Sequence, residues 1–166
     1  MLRACKIKRL CGVGIVAVKY QQEFLDTFVR DAIPLLERHW EEIALNKHVI
    51  KLDPDWDAYA ILEQQGNLKI FTARKSGVLI GYFAVFFRKH IHYKNDIFAV
   101  NDVIFISPEY RKGMIGTNLI KFAEQCLKDD GATVLLINTK CHKPFDKLLE
   151  WLGFTHIENV YSKLLR

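Results

Sequence analysis

Phe98–Lys121, FAVNDVIFISPEYRKGMIGTNLIK, reads as a strand, a short polar elbow and the opening of a helix. Val100 to Ile106 is β-branched or aromatic except for Asn101-Asp102, and Pro108 ends the run because proline has no N–H to give a ladder. Beyond the elbow, Ile115, Leu119, Ile120, Ala123, Cys126 and Leu127 recur at the spacing of a helix lying on a sheet. Between them stands Arg111-Lys112-Gly113-Met114-Ile115-Gly116-Thr117. Glycine lets backbone approach a ligand closely. The N–H groups of a helix start, at the positive end of its dipole, suit phosphate oxygens, and two basic side chains raise the local potential. The residues alone leave two readings open: a tight turn, or a pyrophosphate cradle.

Outward from this stretch, Gly131 closes the helix and Ala132 to Asn138 reads as another buried strand. Pro144 starts a helix carrying Phe145, Leu148, Leu149 and Leu152, stopped at Gly153, and Phe154 to Leu165 supplies the last strand. Upstream, Leu68 to Arg74 and Val78 to Arg88 read as strands joined by the turn Lys75-Ser76-Gly77. The second is apolar on both faces, so it belongs at the centre under helices. His90 to Asp96 reads as a polar connection. Asp53 is placed to cap a helix with Pro54 in its first turn, ending near Gln65 before Gly66. Glu23 to Leu45 reads as helical, with Phe24, Phe28, Leu35, Leu36, Trp40 and Ile43 packed and Pro34 predicting a break into two pieces near Ile33. A first strand is expected over Gly14 to Tyr20.

The order β-α-α-β-β-β-α-β-α-β, with Arg111 and Gly116 in the elbow, resembles the GNAT superfamily of N-acetyltransferases, whose signature is R/Q-x-x-G-x-G/A. Met114 stands at the signature's middle glycine, with Gly113 one place early, and Trp151-Leu152-Gly153-Phe154 is similar to the family's ending on its last helix. The resemblance covers Gly14 to Leu165 and is nearest to small stand-alone bacterial and phage members. It implies a mixed α/β fold, a central mixed sheet flanked by helices, with residues 14–166 as one domain and residues 1–13 as a basic arm outside it. It also implies acetyl transfer from acetyl-CoA to a primary amine. Pantetheine would lie along Ile104, Phe105 and Ile106. The pyrophosphate would rest on Arg111, Lys112, Gly113, Met114, Ile115, Gly116 and Thr117.

An amine attacks only when neutral, and a lysine-like pKa of roughly 10.4 leaves it almost wholly charged at pH 7. A base must take its proton. Asp102 is the first candidate, since a carboxylate inside an apolar strand has its pKa raised; capping or pairing with a neighbouring strand is the structural alternative. The family's usual acid is a tyrosine on the last helix, where this chain has Leu149, which leaves Tyr161 and His142 as candidates. A GNAT-fold module that binds CoA or a protein partner without catalysis is the alternative reading.

Net charge is +5, but residues 1–20 hold five basic groups and no acid, so the remainder balances at 19 against 19. That body argues against a nucleic-acid face. The basic lead and Leu10 to Val18 resemble a short signal peptide without its small-residue exit, and the run is too short to span a bilayer. Cys5, Cys11, Cys126 and Cys141 have no zinc spacing and no disulfide framework, which predicts a cytoplasmic protein with reduced thiols. His90 and His92 lack a third ligand, so no metal is expected; Asp53, Asp55 and Asp57 read as capping and solvated surface, with attraction of a cationic substrate as the lesser reading. Exposed strand edges near the C-terminus allow a homodimer.

Overall fold

The computed structural model describes residues 17–165. Five strands form one sheet in the order β1-β2-β3-β4-β5: β1 Val18–Glu23, β2 Leu68–Lys75, β3 Val78–His90, β4 Tyr93–Ile106 and β5 Val134–Leu136. All neighbours are antiparallel except β4 and β5, which are parallel. Helices α1 Leu25–Ile43 and α2 Trp56–Gln64 cover one face and α3 Ile115–Asp129 the other; α4 Asp146–Trp151 follows β5. None of the described helices is long and apolar enough to cross a membrane.

The hydrophobic pattern sets this layering. Every residue of β3 from Leu79 to Val85 is buried, as its two-sided apolar sequence requires. Tyr82 and Ala84 face Leu25, Phe28 and Ala32 of α1, while Ile80, Phe83 and Val85 face Leu119, Ala123 and Leu127 of α3. The β2–β3 hairpin turns through Ser76 (φ 52°) and Gly77 (φ 83°), both left-handed, as a tight two-residue hairpin needs. Gly81 is fixed by a close approach: a Cβ there would stand 2.3 Å from Ile106 Cδ1 and 2.9 Å from the Phe105 carbonyl oxygen. Gly81→Ala is therefore expected to cost about 1–3 kcal/mol through forced strand displacement. A fall in Tm of roughly 2–12 °C in a thermal melt would register it.

Several boundaries differ from the sequence expectations, each for a physical reason. The first strand is Val18–Glu23; the start expected at Gly14 lies outside the described residues. α1 runs unbroken through Pro34, because Phe28, Ala32, Leu35, Leu36 and His39 dock on the sheet and Pro34 sits on the exposed side, away from that packing. Phe24 precedes that helix and is 51% exposed. The cap of α2 is Asp55, not Asp53: the chain is not yet helical at Pro54, and Asp55 Oδ1 accepts the Ala58 N–H at 2.9 Å. His90 to Asp96 is not a long connection. The β3–β4 ladder continues to a tight turn at Ile91-His92, carried by the His90 ring packed on Phe98 at 4.5 Å.

The expected last strand is absent. Phe154–Leu165 has no regular structure, and Ile157, Val160, Tyr161 and Leu165 are exposed. Its apolar residues (154, 157, 160, 161, 164, 165) do not alternate, so a strand built from them would have no single face to bury.

Candidate active site

β4 pairs with β3 along its length but with β5 only at Phe98–Val134, Ala99–Leu135 and Val100–Leu136. There the Asn138 main-chain N–H donates to Asn101 Oδ1 at 2.6 Å. The side chain takes the donor that would have continued the ladder, and the strands part. From Asn101 to Ile106, the side of β4 turned away from β3 has no strand partner among the described residues. Its N–H and C=O groups are open to an extended ligand, except the Ile106 carbonyl, which accepts from the Arg111 side chain.

Where the strands part, β4 is bulged. Val103 lies opposite Ala84 and Asn101 opposite Val85, so Asp102 is the extra residue. A bulge reverses the alternation of faces. Val103 and Phe105 accordingly pack on the α1 face and Ala99 on the α3 face, while Asp102 and Val103 both line one pocket under α1 and α2. The Tyr59 hydroxyl donates to Asp102 Oδ2 at 2.5 Å. Burial pushes the Asp102 carboxyl above the usual carboxylate range, and the Tyr59 hydrogen bond only partly opposes it. Burial, and then the carboxylate it bonds, push the Tyr59 hydroxyl up as well, so Tyr59 remains a donor at neutral pH. The arrangement sets a carboxyl with a raised pKa among the lining of a largely apolar pocket.

The elbow lies at the far end of the open edge. A 3-10 turn, Pro108–Tyr110, leads to Arg111, whose Nε donates to the Ile106 carbonyl at 2.8 Å. Its two terminal nitrogens fork onto Glu42 of α1 at 2.7 and 2.6 Å, and the guanidinium lies over the Phe105 ring. Arg38 forks in the same way onto Glu109, so α1 holds the elbow at two points. Lys112 is exposed. Gly113 has φ 93°, which explains the displaced glycine: the left-handed residue is here, while Met114, at φ −102°, needs none. Met114 occupies the N-cap of α3 and gives no capping bond, leaving the first-turn N–H groups, Ile115 to Thr117, without a capping side chain. A Cβ on Gly113 would meet nothing within 4 Å, and one on Gly116 only Ile106 Cγ1 at 3.6 Å. The helix start is a notch in which neither glycine's Cβ position is blocked.

The other sequence candidates lie apart from Asp102. His142 is exposed in the turn closed by the Lys140–Lys143 bridge, and Tyr161 is 91% exposed; neither lines the Asp102 pocket. His90 Nδ1 accepts the His92 N–H at 3.2 Å, and among the described residues no group of three or more His, Cys, Asp or Glu could hold a metal ion. Sequence reasoning missed Tyr59, although it follows Trp56 by three positions and so shares its helix face. It also missed His39, stacked on Phe105 at 4.8 Å with Nδ1 2.9 Å from the Tyr82 hydroxyl. Burial lowers the His39 pKa to about 4, so this pair is neutral near pH 7.

Comparison with known proteins agrees with the fold. No curated protein sequence matches the chain. A ribosomal-protein-alanine N-acetyltransferase from Brucella melitensis biovar Abortus 2308 is 19% identical, with a TM-score of 0.63 over 90% of this chain and 99% of that one. A predicted acetyltransferase with acetyl-CoA from Clostridium acetobutylicum is 14% identical, with a TM-score of 0.67 over 90% and 97%. Glucosamine-6-phosphate N-acetyltransferase from Arabidopsis thaliana is also 14% identical, with a TM-score of 0.69 over 90% and 99%. At these identities the likeness is one of fold. The family model described as Acetyltransferase (GNAT) family matches residues 31–154, three-quarters of the sequence and all of the site just described, and the chain belongs to that family.

Proposed function

We propose that the protein transfers an acetyl group from acetyl-CoA to a primary amine by direct attack on the thioester. The observation that carries this is the open side of β4 from Asn101 to Ile106, running from the Asp102 bulge to the uncapped start of α3. The pantetheine arm fits that edge at Ile104 to Ile106. The pyrophosphate fits the amides of Lys112 to Thr117, where Gly113 and Gly116 leave space. Arg111, committed to Glu42, shapes the loop and holds the notch against α1. Bound acetyl-CoA supplies an acyl carbon activated as a thioester.

The chain's own groups supply the rest. Asp102 takes one proton from the substrate ammonium; the freed nitrogen pair forms the N–C bond, the C–S bond breaks with its electrons leaving on sulfur, and the nitrogen gives its second proton to solvent as the amide forms. The outward N–H groups of β4 beyond Val100 are the donors for charge developing on the acyl oxygen. Because His142 and Tyr161 stand outside the Asp102 pocket, the proton returned to sulfur is assigned to solvent.

Gly116 gives the test. The protein tolerates a Cβ there at ordinary contact distance, so a larger side chain obstructs a ligand more than the fold. Gly116→Val is expected to weaken acetyl-CoA binding by about tenfold or more, about 1.4 kcal/mol, in a calorimetric titration. Its Tm should stay close to that of the wild type. Equal affinity in the two proteins would remove the notch from the site.

A further inference from the structure

The pocket above Asp102 has a composition that selects its occupant. Leu25 and Phe28 of α1, Leu52 and Pro54 of the α1–α2 loop, and Trp56 of α2 wall it. Its ionisable side chains are Asp102 and Tyr59, already bonded to each other. The stretch Leu52-Asp53-Pro54-Asp55-Trp56-Asp57 alternates: 52, 54 and 56 face the pocket, while Asp53, Asp55 and Asp57 are exposed around it. A cation is drawn toward the mouth, but inside it meets apolar walls and one carboxylate. The cavity, about 90 Å³, has room for a short branched hydrocarbon.

Resting on the acetyl-transfer reading, we propose that the acceptor is a small monoamine with a short apolar body, its ammonium on Asp102 and its hydrocarbon against Leu52, Pro54 and Trp56. A second ammonium or a set of hydroxyls would be stripped of water among Leu, Phe and Pro with no partner to replace it. Polyamines and amino sugars are disfavoured on that ground. Tyr59 holds Asp102 Oδ2, leaving the carboxylate's other oxygen for the substrate.

Two measurements test this in the intact chain. In the first, isoamylamine, 3-amino-1-propanol, spermidine and glucosamine compete as acceptors, with acetylated products quantified by mass spectrometry. Isoamylamine is expected to exceed the other three in kcat/KM by tenfold or more. Leu52→Asp, a change at a partly exposed loop position, should remove most of that advantage without altering acetyl-CoA affinity. The second measurement needs no coenzyme. Isoamylamine alone should shift the Trp56 indole N–H resonance in the wild type and not in Asp102→Asn.

Binding seen at Trp56 with no acetyl-CoA heat and no product would uphold the pocket's ligand and sink the transfer reading. Faster turnover of spermidine or glucosamine, or an unmoved Trp56 resonance, would overturn the proposal itself.

Discussion

Asp102→Asn should lower kcat by about 10²–10⁴-fold, the range expected when a positioned proton acceptor is removed. Asparagine keeps the shape of the bulge and can still accept the Tyr59 hydrogen bond, but it cannot take a proton from an ammonium. Acetyl-CoA affinity should hold, because the coenzyme positions proposed above lie at Ile104 to Ile106 and at the α3 notch. The pH dependence gives a second signature. Asp102 works only when ionised, and burial raises its pKa, so kcat/KM of the wild type should fall in acid along a limb lying above the ordinary aspartate value of about 3.9. That limb should vanish in the variant's residual activity. Turnover within a few fold of wild type across the pH range would remove Asp102 from the role of base.

The largest effect on stability is expected at Arg74, far from the chemistry. Its guanidinium forks onto Glu23 at 2.6 and 2.8 Å and reaches Asp31 at 2.6 Å. The Glu23 side chain is 3% exposed and also accepts from Thr72 and Gln21. Burial alone would raise the Glu23 pKa, but the hydrogen bonds from Arg74, Thr72 and Gln21 outweigh it, and the net direction is down. Arg74→Ala leaves that carboxylate buried without its cation, which costs about 3–5 kcal/mol. Tm should drop by roughly 6–20 °C. A depressed carboxylate contributes its stability above the unfolded pKa and loses it as pH falls through the folded value. The gap between wild type and variant should therefore be full at neutral pH and narrow in acid. A gap below 1 kcal/mol at pH 7 would mean that the network is solvated in solution.

Much of the fold could be read from local chemistry. The two-sided apolar run of β3 places it at the centre; the Ser76-Gly77 turn, Gly131 and Gly153 end elements with left-handed glycines where expected. What could not be read depends on partners distant in sequence. The bulge at Asp102 is a property of its register against Ala84 and Val85, and no pattern within β4 announces it. Tyr59 and Asp102 are 43 residues apart, as are Arg74 and Asp31, and such pairs become visible only when the sheet and α1–α2 are assembled. The candidate site is legible only in part. The glycines and the polar pair Asn101-Asp102 marked it, but Asn101's hold on Asn138, which ends β5 and opens the edge, was not. Pro34 misled in the opposite sense, since a strong local signal yielded to the packing of a nineteen-residue helix.

The central claim is that β4's open edge and the start of α3 together hold the coenzyme. Amide chemical shifts recorded with and without acetyl-CoA test it residue by residue. The largest changes should fall on Asn101–Ile106 and Lys112–Thr117, with β1 and β2 unmoved. An unchanged spectrum at saturating acetyl-CoA, or changes confined to other surfaces, would contradict the account.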